Sequence, residues 1–530
     1  MTLHLFEAFI ITAIAVFSYS AYYYVKYFTR ENPLPGPIPL PFIGNLHLFH
    51  GDFAAKMLKL QLKYGEIFEL YVGNKRNIWL GNANLVEKIN NPSTKSNYVI
   101  RAVNQGLDEM GVTSKGISFI NNLEVWRFNR NFVAQTIMTT AFLKHSVSTI
   151  EETFHKMEEF WKKLEMQQKN TVFEFPEWIV RFSTDFTIYT TTGKPTFSMA
   201  GYFNKLIKTK DMKIVYPEHE LKGTEEFIER LRIWLTSFNF FYLVPPLMRH
   251  YIPGVIQYQK YFLKNIDWID QYLRNFIRIR HEEIKKTPKE QELRADILTL
   301  LITAFTDRDT EKIKYVQGRN KPLTEEEIRF IMFEIIGGGI DTSANSFCFI
   351  TYYICKHPEV KKRMIQEIDS VFGEDRTRKI TYEDISKLEY CDAIAKEASR
   401  LMPVVPSVFR MASKDDVVAG MKWKAGQTFF VHMHAIQLNP KHWPEPEKFD
   451  PDRFMKNSIK KNTLIPFGAG VRMCPGRHLA EMETKALMAL VYRNFDVSLV
   501  DPDAPLQKVY SLANHCEKLQ VYIKPREFTT

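Results

Sequence analysis

Apolar positions recur with a helical period from about residue 120 to 400 and again after 476, so most of the chain reads as helix. The clearest case opens at Thr324-Glu325-Glu326-Glu327, a capping box, and its apolar run lasts until His357-Pro358. That pattern predicts a helix of roughly 30 residues, about 45 Å long. Residues Ile67 to Leu80 instead alternate apolar and polar around Gly73-Asn74, which predicts a hairpin, and a second strand-rich region spans Val417 to Ile436. The expected architecture is mainly α with a small β region (α+β): one large helical domain with a small sheet near the N-terminal end. The stretch Phe238 to Leu247 is unusually apolar for a connector and carries paired prolines. It reads equally as core, as a pocket cover or as a segment dipping into a bilayer.

The first thirty residues differ from the rest. Ala8 to Val25 carry no charge, the short end of what a membrane-spanning helix needs. Tyr19, Tyr22, Tyr23, Tyr24 and Tyr27 resemble an interfacial aromatic belt, and Lys26 and Arg30 follow them, which leaves the remainder on the cytosolic side. A cleaved signal peptide is the competing reading, since Ser18-Tyr19-Ser20 is a small-x-small triplet. Against it, Glu7 and no Lys or Arg lie ahead of the apolar run. Next comes Asn32 to Pro41, with proline at every second residue from Pro33, a stiff extended connector that would hold a body at a fixed tilt from its anchor. The expected division is 1–30 anchor, 31–44 proline-rich hinge and 45–530 catalytic domain.

Composition narrows the choice. The chain has 530 residues, 45% of them hydrophobic and 14% aromatic, ample for a large core or a flat apolar cofactor. Its 71 basic and 61 acidic residues give a net charge of +10, which favours an acidic partner or an anionic membrane surface. The basic residues are dispersed and no recognition motif occurs, so nucleic acid is not expected as a partner. Five cysteines (Cys348, Cys355, Cys391, Cys474 and Cys516), with no C-x-x-C pair, argue against a disulfide framework and against structural zinc.

One cysteine has informative neighbours. Phe467-Gly468-Ala469-Gly470-Val471-Arg472-Met473-Cys474-Pro475-Gly476 fits F-x-x-G-x-R-x-C-x-G. Gly470 and Gly476 would let the backbone turn tightly beside a large cofactor, free N–H groups would point at the sulfur, and Arg472 could offset the charge of a haem propionate. The helix expected from Arg477 to Val491 would turn its positive end toward the sulfur and favour the thiolate. Within the long predicted helix lies Gly337-Gly338-Gly339-Ile340-Asp341-Thr342-Ser343. Three interior glycines cost roughly 1 kcal/mol each relative to alanine, a cost that a flat ligand against bare backbone would offset. Otherwise Thr342 simply back-bonds to the preceding turn.

These segments resemble the haem-binding loop and the oxygen-activation helix of the cytochrome P-450 family, and accessory motifs follow in the family's order from residue 33 to beyond 500. The resemblance implies a single large haem-enclosing domain, Cys474 as axial ligand to the iron, and roles at the haem for Gly338, Phe467, Arg472 and Gly476. It implies that Asp341 and Thr342 steer protons during oxygen activation. It also implies that Trp126 and Arg130 of W-x-x-x-R, with Arg410, bind propionates. Glu397 and Arg400 of E-x-x-R would form a structural triad with Arg453, with Asp452 standing where the family often has glutamate. The substrate pocket would draw on the loop from Arg101 to Asn122, the region of Phe240, the Gly-rich helix and Val404 to Phe409.

The activity so implied is insertion of one oxygen atom from O₂ into a lipophilic substrate. Electrons would come from NADPH through a separate flavoprotein reductase docking near Arg127, Lys460, Lys461 and Arg477. The expected location is a membrane, that of the endoplasmic reticulum, with a single-pass anchor. The alternatives are a haem-thiolate isomerase or dehydratase, which tends to lack the acid-threonine pair, and a non-catalytic membrane haem-binding protein.

Overall fold

A computed structural model describes residues 2–49, 51–207, 212–215, 218–294, 296–309, 321–456 and 459–526. The chain forms two compact units, one from residues 1–102, 407–436 and 469–472, the other from 103–406, 437–468 and 473–530.

The first unit is built on a four-stranded sheet. Ile67–Val72 and Lys75–Leu80 pair as the expected hairpin, with Gly73 in the left-handed region at the turn. Lys75–Leu80 pairs in parallel with Thr428–Val431, which pairs antiparallel with Val408–Met411. Trp79 stacks on Phe430 at 4.6 Å across the parallel pair. The region expected to be strand from Val417 to Ile436 is shorter: Asp416–Val418, Met421–Trp423 and Thr428–Val431 are strands, while Met433–Gln437 is a helical turn.

The N-terminal segment is one helix, Thr2–Phe28. No helix among the described residues is long and apolar enough to cross a membrane. The tyrosines do not act as one belt. Tyr23 and Tyr27 are buried, and Tyr27 lies edge-on to Tyr71 at 5.7 Å. Tyr19 stacks on Phe42 at 4.3 Å, whereas Tyr22 is exposed together with Phe6, Phe9, Ile11, Ile14 and Phe17. Spacing i, i+4, i+8 places Tyr19, Tyr23 and Tyr27 on the face that meets protein. The proline-rich connector runs beside the hairpin, where the Glu69 amide donates to the Pro35 carbonyl at 3.0 Å. The Glu69 carboxylate is buried between Arg30, 2.6 Å from Oε1, and Arg76, whose Nε donates to Oε2 at 2.6 Å.

The second unit is mostly helical. Its long central helix, Glu325–Lys356, starts where the capping box predicts, with Thr324 and Glu327 bonding reciprocally, and stops before His357. The apolar stretch at Phe238 is not a connector: it is the last part of the helix Glu218–Leu243, and a second helix follows at Pro246–Tyr251. Phe238 and Phe241 are buried and Phe238 packs 5.1 Å from Phe119, so the core reading prevails. Helix does not persist after residue 476 as expected. Arg477–Asn494 is helical, but Phe495–Leu499, Gln507–Tyr510, Asn514–Lys518 and Gln520–Pro525 are strands. The signal was present, for Phe-Asp-Val-Ser-Leu alternates buried and exposed along the first of them.

Candidate active site

In the second unit the cysteine loop ends on the helix Arg477–Asn494, whose N-cap is Gly476. The backbone N–H of Cys474 donates to the Phe467 carbonyl at 2.9 Å and closes the loop. Among the described residues Cys474 is the one exposed cysteine. Protein nevertheless crowds its other sides, and that burial pushes the thiol pKa up, while the Gly476 N–H and the Arg130 guanidinium pull it down. A cation at the sulfur would outweigh that burial and favour the thiolate. Gly476 has φ −83°, so its service is the N–H and not a special backbone conformation.

Trp126 and Arg130 lie one turn apart on the helix Leu123–Ile137, which Asn122 caps. Trp126 is buried, and Arg130 reaches the cysteine loop, donating to the Met473 carbonyl. Within the first unit Gly470 adopts φ +71°, and a side chain there would strike the Asn90 carbonyl. Beside it Arg472 is buried and donates from Nε to the Val99 carbonyl at 2.9 Å. Arg410 is buried on the strand Val408–Met411 and donates to the Phe409 carbonyl.

On the central helix Gly338 is exposed, and a Cβ there would meet nothing within 4 Å. One turn on, Thr342 Oγ1 donates to the Gly338 carbonyl at 2.5 Å, so the hydroxyl back-bonds along its own helix. Asp341 is buried with Oδ1 at 3.1 Å from Nδ1 of His515. Ser343 donates to Glu483 on the helix that follows the cysteine.

Also in the second unit, Glu397 and Arg400 are both fully buried and paired through two bonds, Nε to Oε2 at 2.7 Å and Nη2 to Oε1 at 2.8 Å. Arg400 also donates to the carbonyls of Gln437, Pro446 and Lys448. Arg453 Nε stands 3.3 Å from Glu397 Oε1, which completes the expected constellation. Asp452 points elsewhere, to Arg363 at 2.5 Å.

Sequence reasoning missed His515, Ser511, Asn345 and Glu483. His515 lies 174 residues from Asp341, and no local pattern connects them. Glu483 carried a weak signal, being an acid on an otherwise apolar helical face.

The residues suit a haem. An accessible sulfur with an N–H and a guanidinium beside it is a donor for iron, and the exposed backbone at Gly338 leaves room for a flat group. The family model for cytochrome P450 matches residues 34–522. Over 473 residues the chain is 26% identical to cytochrome P450 3A31 of Mesocricetus auratus, covering 88% of this chain and 86% of that one. Against cytochrome P450 4d2 of Drosophila melanogaster it is 26% identical over 516 residues, covering 93% and 94% respectively. The match to cytochrome P450 3A17 of Cavia porcellus is 25% identical over 483 residues, 89% of this chain and 88% of the relative. The chain is thus a haem-thiolate oxidoreductase by class. It belongs to the cytochrome P450 family, and its activity is that of a monooxygenase with haem as cofactor.

Proposed function

We propose that Cys474 is the axial ligand of the haem and that the enzyme inserts one oxygen atom from O₂ into a lipophilic small molecule. Electrons reach it from NADPH through a separate flavoprotein reductase. The observation that carries this reading is the Cys474 sulfur, accessible on one side and held between the Gly476 N–H and Arg130. The haem supplies oxygen activation at its iron. Trp126, Arg130, Arg410 and Arg472 would hold its propionates, and Phe467, Gly476 and Gly338 would leave room for the flat group. Thr342 holds a hydroxyl and Asp341 a carboxyl for proton delivery, and this pair sets the reading apart from an isomerase or dehydratase. Glu397, Arg400 and Arg453 keep the loop in shape and do no chemistry.

Residues 1–30 act as a membrane anchor, 31–44 as hinge and 45–530 as the catalytic domain on the cytosolic face of the endoplasmic reticulum. The exposed Phe6, Phe9, Ile11, Ile14 and Phe17 support membrane attachment through this helix.

The test is spectral. The reduced carbon monoxide complex should show the red-shifted Soret band of thiolate ligation, and Cys474→Ser should abolish it. A variant that keeps the band overturns the assignment. Product formation with NADPH and reductase separates the monooxygenase from a peroxide isomerase and from a haem carrier.

A further inference from the structure

Asp341 is the end of a chain of three side chains. Its Oδ1 lies 3.1 Å from His515 Nδ1, and the far ring nitrogen, Nε2, lies 2.6 Å from Ser511 Oγ. The arrangement is held from both sides. Asn345, one turn after Asp341, accepts from the Cys516 amide at 2.7 Å and donates to the Asp341 carbonyl at 2.7 Å, which pins the strand Asn514–Lys518 to the central helix. Asn345 Nδ2 lies 3.5 Å from His515 Nδ1, a contact that is no hydrogen bond when Nδ1 carries the proton. His515 and Asp341 keep side-chain exposures of 17% and 11%, and Ser511 is half-buried, so the chain runs from a buried carboxyl to a partly accessible hydroxyl.

Two features argue for more than packing. A ring nitrogen facing a carboxylate is attractive only when it carries a proton, so Nδ1 is the N–H and Nε2 accepts the Ser511 hydroxyl. Every link then has one donor and one acceptor. Meanwhile Asp341 Oδ2 is buried with no hydrogen-bond partner among the described residues. Leaving a buried carboxyl oxygen in that condition carries a desolvation cost.

We propose that Ser511, His515 and Asp341 form a proton relay that reloads the Asp341 carboxyl during turnover; this rests on the proposed part of Asp341 in proton delivery. In one passage a solvent hydronium gives a proton to Ser511 Oγ, leaving water, as the Ser511 hydroxyl proton moves to His515 Nε2. The Nδ1–H bond breaks and an Oδ1–H bond forms on Asp341. The balance is one proton taken from solvent and one carboxylate converted to the acid, with no electrons moved. The ring recovers its first tautomer when Nε2 gives its proton back to water and Nδ1 takes one from water, with no net change.

The test uses the full-length haem protein. Nitrogen-15 spectra of histidine-labelled protein in its diamagnetic reduced carbon monoxide form, with His515 assigned by substitution, should show Nδ1 protonated and Nε2 as acceptor. The reverse tautomer overturns the relay. His515→Asn keeps a donor at the Nδ1 position but cannot pass a proton. It should retain the thiolate Soret band while product per NADPH falls about tenfold and released hydrogen peroxide rises. Ser511→Ala should act in the same direction and Ser511→Thr should restore coupling. If His515→Asn couples like the native protein, the contact is structural and the relay is wrong. If the native protein lacks the band or forms no product, the failure lies instead with the haem and monooxygenase reading.

Discussion

Ser343 donates from Oγ to Oε2 of Glu483 at 2.9 Å, joining the central helix to the helix that follows the cysteine. Glu483 is buried, and burial pushes its pKa up to about 7 against the opposing pull of hydrogen bonds from Ser343 and Ser183. The folded pKa lies above the unfolded one, so the folded protein holds an extra proton across the interval between them. The associated stability is full below the unfolded value and is lost as pH rises through about 7. Glu483→Gln keeps a hydrogen bond to Ser343 without the titration. Thermal melts at pH 5 and pH 8 should show the native protein losing more Tm than the variant across that interval. Equal losses would mean that Glu483 ionises freely.

Thr342→Ala should leave the fold intact, because among the described residues the hydroxyl bonds only along its own helix and alanine is the better helix former. Haem and substrate binding should be unchanged, while hydrogen peroxide released per NADPH oxidised rises. Unchanged coupling would remove Thr342 from proton delivery.

Arg400→Ala would strip the buried Glu397 carboxylate of both guanidinium bonds, leaving it the Asp450 amide and Arg453, and would take the same donor from three carbonyls. Breaking a buried pair of this kind costs about 3–5 kcal/mol, a large share of a domain's stability. The yield of soluble, haem-loaded protein should collapse. Arg400→Lys should fare little better, since one ammonium cannot replace a planar fork bonded on several sides.

Lys460 and Lys461 are exposed just before the cysteine loop. Reversing both to Glu should slow reductase-driven turnover, mainly through the association rate, and flatten its dependence on salt. Peroxide-driven turnover bypasses the reductase and should hold. Equal losses in both assays would place the damage at the haem. Arg477 is a weaker docking candidate than its position in the sequence suggested, because Glu481 pairs with it at 2.7 Å.

Legibility followed the range of each interaction. Thr324 and Glu327 report a helix start from four adjacent residues, and Gly73-Asn74 reports a hairpin, because both structures close locally. Cys474 and its loop were readable for the same reason. The parallel pairing of Ile78 with Phe429 and the contact of His515 with Asp341 bring together residues far apart in the chain, and no local pattern records them. The tyrosines near the N-terminus were misread as a group because composition does not say which helical face meets protein. The C-terminal strands were missed despite their alternation, the helical period having been extended beyond Asn494.

The partners of Arg400 also set an order of events in assembly. The three carbonyls it binds lie 37, 46 and 48 residues further along the chain. Until that later segment arrives, the helix Glu389–Leu401 cannot enter the interior without dragging an unsatisfied guanidinium with it. The segment in turn has no donor for its carbonyls until the helix docks. Neither half can settle first, so burial of the helix and shaping of the polypeptide ahead of the cysteine occur as one cooperative step. A nascent chain shorter than Lys448 would have to leave that helix at the surface.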